Sequence, residues 1–326
     1  MKRAAAVLLA LVVHLLTLAF VVLGGWAILA NPGSLLAWLV GGLCLAVGWT
    51  LRPRLGRLPA DAEVLDRASA PELYAVAERV ADRARVRRPA KVAIRDLATE
   101  TRYDRVGLPR TPVLVLGLPL WLALPPRQRV ALLATAYARV PTGDERIVSA
   151  ALYTLDTWRD ALLRAEPLRA RQEAQDRIAG SPLGPMEHPG TTYEAMGVIG
   201  RMVGRVLGWP LLLVHIPLTR LAQADEEQAE RRRHERALRA CPERDLAALA
   251  EQASGGYLAP MQAAALRGES VASIRQAALV RFRLTDDGVL TSAPDSELLG
   301  TRESGQIDEE LSAHYTRAIR GFGLIS

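Results

Sequence analysis

Hydrophobic and polar positions follow two regimes along the chain. From Ala4 to Ala30 no side chain carries a fixed charge, and His14 is the one titratable group. A turn signal, "NPGS" at Asn31 to Ser34, separates this run from a second apolar run, Leu35 to Leu51. Crossing a bilayer takes about 20 apolar residues, so the first run qualifies comfortably and the second only just. The pattern predicts a membrane anchor over residues 1–57, with transmembrane helices at about 4–30 and 34–51. A cleaved signal peptide is the alternative, with Lys2 and Arg3 as its basic start and "AILA" as its cleavage region. The apolar run is longer than the usual ~7–15-residue core of such a peptide, and a second run follows at once. Both features favour an uncleaved helical hairpin.

A polar linker, about Arg52 to Ala68, leads into a domain over residues 58–326 built of shorter amphipathic segments. "SAPEL" reads as a helix start, with Ser69 as cap, Pro71 in the first turn and Glu72 three residues after the cap. Leu73, Val76, Ala77, Val80 and Ala84 follow at helical spacing, and the helix should end near Arg88-Pro89. "KVAIRD", Lys91 to Asp96, alternates like a short strand, and the first half of Thr111 to Leu124 reads as a second one. Pro125-Pro126 opens a helix through Val140. Pro141-Thr142-Gly143 breaks it, and another helix runs from about Asp144 to Arg164.

A charged segment, Arg169 to Arg177, and a glycine- and proline-rich loop, Gly180 to Gly190, come next. Met196 to Leu218 turns apolar again, interrupted by Arg201, Arg205, Pro210 and Pro217. An interfacial helix, or one buried in the domain, fits this segment, 196–218, better than a full span. A charged helix over Leu221 to Leu238 and an alanine-rich helix over Glu243 to Leu266, interrupted at Gly255-Gly256, follow. A small hairpin is expected around Asp287-Gly288. Ile307, Leu311, Tyr315, Ala318 and Phe322 mark a final amphipathic helix.

Charge sets the orientation. Lys2 and Arg3 precede the hairpin, Arg52, Arg54 and Arg57 follow it, and the turn between carries no charge. The positive-inside rule puts both ends, and hence the domain, in the cytoplasm. The formal net charge is +6, almost all of the positive charge being arginine, with Lys2 and Lys91 the only lysines. The arginines are scattered among 35 acidic residues without a basic stripe or interleaved aromatics, which argues against nucleic acid. Acidic membrane lipid is the better partner for the arginines beside the anchor. The two cysteines, Cys44 and Cys241, are too distant in sequence to form a disulfide framework.

The segment "LLATAYARVPTGD", Leu132 to Asp144, lies on the helix that follows the second strand. With the membrane hairpin and the order helix, two strands, helix, it resembles the HtpX-like membrane zinc metallopeptidases, relatives of the CAAX prenyl proteases. In that family the segment reads approximately "LLAHELGHVxNGD". The resemblance covers roughly Pro71 to Arg232. It implies a zincin-like fold, mainly α with a small β-sheet (α+β), preceded by the N-terminal transmembrane helical hairpin. It also implies a multi-pass protein of a bacterial-type cytoplasmic membrane, with zinc as the family's cofactor.

The departures fall on the chemistry. Two histidines four residues apart share a helix face and can bind one zinc, and the glutamate between them polarises the bound water. Here the first histidine position is Thr135, the glutamate position is Ala136 and the second histidine position is Arg139, a permanent cation. The family's third ligand is a glutamate in a pattern like "ExxAD". "EEQAER" matches it with Glu226 at the ligand position and Glu230 at the aspartate position. A solvated helix face is the plainer reading of that run. None of the five histidines, His14, His188, His215, His234 and His314, pairs at i, i+4. No phosphate-binding glycine loop, nucleophile elbow or cysteine cluster is present either.

These residues imply a membrane-anchored pseudopeptidase with no catalytic residue and no metal ligand. It would bind a protein or unfolded peptide rather than hydrolyse it. If family packing persists, Arg139 occupies the old metal position and pairs with Glu226. An active metalloendopeptidase with rearranged ligands is the first alternative. An unrelated membrane-anchored helical scaffold, lacking a sheet beside the Pro126–Val140 helix, is the second.

Overall fold

The computed structural model of the chain describes residues 2–50, 56–107, 110–163, 191–254, 256–283 and 296–322. In chain order the elements are α1 (Lys2–Ala30), α2 (Leu35–Thr50), β1 (Glu63–Leu65), α3 (Pro71–Arg83), β2 (Lys91–Arg95), β3 (Arg102–Val106) and β4 (Thr111–Gly117). Then come α4 (Leu118–Ala123), α5 (Pro126–Ala138), α6 (Gly143–Leu163), α7 (Thr191–Ala237), α8 (Glu243–Ser254), α9 (Leu258–Leu266), α10 (Val271–Arg283), α11 (Thr301–Glu310) and α12 (Ser312–Phe322). The protein is mainly helical with one small mixed sheet. It divides into two units, Met1–Arg54 with Pro141–Glu227, and Leu55–Val140 with Gln228–Ser326.

The first unit is helical. Asn31 to Ser34 turns α1 back on α2, and glycines let the two helices approach. A Cβ on Gly41 would stand 2.7 Å from the Gly24 carbonyl oxygen, so only glycine allows this backbone contact. Arg3–Ala30 is, among the described residues, the one helix long and apolar enough to cross a bilayer. The 16 residues of α2 reach about 24 Å at 1.5 Å per residue, short of the ~30 Å hydrocarbon layer. The two-span expectation is thus met in length by α1 alone. On the N-terminal half of α1, Ala6, Ala10 and Val13 form one face, packed with Ala151 and Leu155 of α6 and Leu218 of α7. Arg3 pairs with Asp144 at 2.9 Å and donates to the Thr142 hydroxyl at 3.2 Å.

The second unit is built on a four-stranded sheet of order β1-β2-β4-β3. β2 and β4 run parallel, with Val92 opposite Leu114 and Ile94 opposite Leu116, while β1 and β3 add antiparallel edges. Two of these strands were not expected. β1 lies in the segment read as linker and has only three residues, and β3 carries Arg102, Asp104 and Arg105. Short, charged strands are what a sheet edge tolerates, and they leave little alternation to read. Nearly every position of β4 is buried, so its sequence is an apolar run rather than an alternating one.

One face of the sheet, with Val92, Ile94, Leu114 and Leu116, joins the core formed with α3 and α5. Tyr137 of α5 donates to the Ala77 carbonyl of α3 at 2.8 Å, and its ring meets Tyr103 of β3 edge-on at 5.1 Å between centroids. The other face packs Ala93, Val113 and Val115 under Leu58, Ala62 and Val106.

Helix boundaries depart from expectation where tertiary contacts decide them. Ser69 does not cap α3. Its hydroxyl bonds to the Asp66 carbonyl, and Ala70 is the N-cap. The Glu310 carboxylate of α11 instead accepts the Glu72 and Leu73 N–H groups at 2.8 and 3.1 Å, an anion on the positive end of the helix. The segments read as separate helices over 196–218 and 221–238 form one element, α7, which continues through Pro210 and Pro217. The final helix is split, α11 ending at Glu310 and α12 starting at Ser312, although Ile307, Leu311, Tyr315 and Ala318 are all buried as the spacing required. The charged segment 169–177, the loop 180–190 and the turn at 287–288 lie outside the described residues.

Candidate functional site

α5 carries the positions that the resemblance singles out. Pro125-Pro126 starts it, Pro126 serving at the first helical position where no N–H is needed. From Ala131 to Ala134 every side chain is buried. Thr135 and Arg139 fall on the open side, one turn apart, while Ala136 is 1% exposed and belongs to the core. The Thr135 hydroxyl donates back to the Ala131 carbonyl at 2.8 Å. Arg139 is the C-cap of the helix, its N–H bonded to Thr135 O at 3.2 Å.

The acid beside Arg139 is Glu100, at 3.8 Å, with both side chains more than half exposed. Exposed pairs of this kind contribute little. Glu226 lies in the first unit and Arg139 in the second. Glu230 pairs with Arg233 one turn along α7 at 2.9 Å. Arg236, near the end of α7, donates to the Val140 carbonyl at 2.9 Å and to the Ala138 carbonyl at 3.4 Å. A cation on the last carbonyls satisfies the C-terminal end of α5 and matches its dipole.

Zinc does not fit these residues. Thr135 offers a neutral hydroxyl already bonded to backbone, Ala136 a methyl group in the core, and Arg139 and Arg236 place positive charge at this end of the helix. Among the described residues, no group of three or more histidine, cysteine, aspartate or glutamate side chains is placed to hold a metal ion. The histidines have other partners. His14 bonds the Ile147 carbonyl at 3.2 Å, His215 meets Asp156 at 3.1 Å and His234 meets Glu243 at 3.2 Å. His314 contacts Arg317 at 2.7 Å, and His188 lies outside the described residues. Cys241 is buried, and burial pushes its thiol up to about 12, which leaves almost no thiolate near neutral pH.

A buried polar cluster of the second unit was not legible in the sequence. Arg129, on the first turns of α5, is completely buried. Its guanidinium donates to the Trp121 carbonyl at 3.1 Å, to the Ser304 hydroxyl at 2.8 Å and to Asp308 at 2.6 Å, and lies 4.8 Å from the Trp121 ring centroid. Arg275 of α10 pairs with the same Asp308, and Tyr315 of α12 donates to it at 3.0 Å. Burial, then the neighbouring Arg129, pulls Arg275 below its usual range, and burial pushes the Tyr315 hydroxyl up. An arginine followed by five apolar positions on a helix was the one available signal, and it does not name partners more than a hundred residues away. The cluster joins α4, α5, α10, α11 and α12, which is a structural task.

No family model, curated protein or solved structure matches the chain.

Proposed function

We propose that the protein is a membrane-anchored pseudopeptidase of HtpX-like descent that acts by binding a protein or unfolded peptide. The observation that carries this is the setting of α5. A helix with the family's apolar frame packs beside a small mixed sheet, yet the three positions that would do zinc hydrolysis hold Thr135, Ala136 and Arg139. The sheet beside α5 favours this reading over an unrelated helical scaffold. Glu226 and Glu230 are then remnants of a third-ligand segment whose acids remain without the histidines. The active-enzyme alternative lacks both the metal-binding imidazoles and the general base.

α1 supplies the anchor, and the proposed topology places both ends of the α1–α2 hairpin on the cytoplasmic side, where Lys2, Arg3 and the arginines after α2 meet acidic lipid. The test uses the full-length protein in phospholipid vesicles, incubated with a fluorescent, permanently unfolded polypeptide. Binding that shifts anisotropy, with the polypeptide intact on a gel and indifferent to chelator, supports the proposal. Cleavage that a chelator stops would show an active enzyme and reject it.

A further inference from the structure

The first unit contains more membrane-compatible surface than its one long span. α1 extends about 42 Å over Arg3–Ala30, beyond the ~30 Å hydrocarbon layer. α2 lies along its C-terminal part, through Gly24 and Gly41. The N-terminal part of α1 instead packs on α6 and α7 through Ala6, Ala10 and Val13. On its other sides Leu8, Val12 and Leu15 are exposed. α7 repeats this division, with Val214, Leu218 and Leu221 turned to α1 and α6 while Leu213 and Ile216 face out. Tyr153 of α6 is exposed as well. Apolar side chains therefore continue from α1 onto α6 and α7.

The polar groups of these segments suit a lipid setting. The uncharged window of α6, Ile147–Leu155, is bounded by Arg146 and Asp156 and reaches about 14 Å, half a bilayer rather than a whole one. Inside it and beside it, several polar side chains bond within the protein, while the buried Thr219 hydroxyl has no hydrogen-bond partner among the described residues. Thr17 donates to Val13 O, Thr154 to Ala150 O, and His14 and His215 bond Ile147 O and Asp156. Hydrocarbon favours such internal bonds, and it also tolerates a helix-interior proline such as Pro217. The charges Arg3, Asp144, Arg146 and Arg220 sit at the margins of the apolar segments, where side chains can reach headgroups, and Asp156 at the far end of the α6 window is paired with His215.

We infer that the Ile147–Leu155 window of α6 and the Leu213–Leu221 section of α7 sit in one leaflet of the bilayer beside the N-terminal half of α1. Tyr153, Leu213 and Ile216 there contact phospholipid acyl chains. The partner is lipid, and the inference rests on the anchored reading of α1. The test uses the full-length wild-type protein in vesicles containing a phospholipid with a photoactivated carbene precursor in its acyl chain, with labelled residues mapped by mass spectrometry. The expected result is labelling of Tyr153 and of the Leu213–Ile216 stretch at the level of Leu8–Leu15, with Leu266, an exposed leucine of the second unit, unlabelled. Labelling of α1 with loss of label from α6 and α7 overturns the inference and leaves the anchor standing. Absence of label from α1 overturns both.

Discussion

Asp308 stands between two guanidiniums, Arg129 and Arg275, and accepts a bond from Tyr315. Removing it leaves two buried cations facing one another, so Asp308→Ala should cost about 3–5 kcal/mol. Urea unfolding of the second unit, followed by near-UV dichroism, would measure this. Tyr315 adds a pH dependence whose sign is fixed. Its folded value is raised above the ordinary 10.0, so the stability from keeping it neutral is fully present below that value. As pH rises above it, the unfolded chain releases the proton and the folded one does not, and stability falls. The urea midpoint should begin to fall near pH 10 and keep falling above it, less steeply in Tyr315→Phe. Ala136 gives the opposite test. Placing the glutamate of the resembled motif there with Ala136→Glu would put a carboxylate into the core, costing several kcal/mol or abolishing folding, read by the same unfolding curve. At this scale the motif comparison could single out Thr135, Ala136 and Arg139, because it is a local reading of one helix. The sequence was silent on Arg129, Asp308 and Arg275, because a buried ion cluster is defined by residues that only the fold brings together.

Helices with strong periodicity were legible as elements. α3 buries Leu73, Val76, Ala77 and Val80, and Ala84 is buried as its C-cap, the positions the spacing marked, although the helix ends at Arg83 and not near Arg88-Pro89. α5 and α6 start and end within two residues of expectation. The strands were half legible. β2 and β4 carry the apolar residues of the sheet centre, whereas β1 and β3 are short or charged edges with no period to detect. Capping was misread because the acid at the start of α3 comes from Glu310, 238 residues from Glu72. Glu310→Ala should therefore destabilise the protein by about 1 kcal/mol or somewhat more, since two N–H groups lose a charged acceptor. Amide hydrogen exchange should show the loss first at Glu72 and Leu73, whereas an unchanged exchange rate there would mean the cap is idle.

On the scale of the whole molecule, the long apolar helix and the sheet-bearing core fall in different units. The first unit holds the long apolar span and its glycine-packed partner, and the second holds the sheet, α5 and the buried arginine cluster. The proposed pseudopeptidase function requires that the folded protein hold no zinc. Its most direct test is the metal content of the full-length protein, purified in detergent without a chelating tag and measured by elemental mass spectrometry. The account predicts zinc far below one per chain in a folded protein. Zinc near one per chain, removed by chelator together with peptide cleavage, would contradict it.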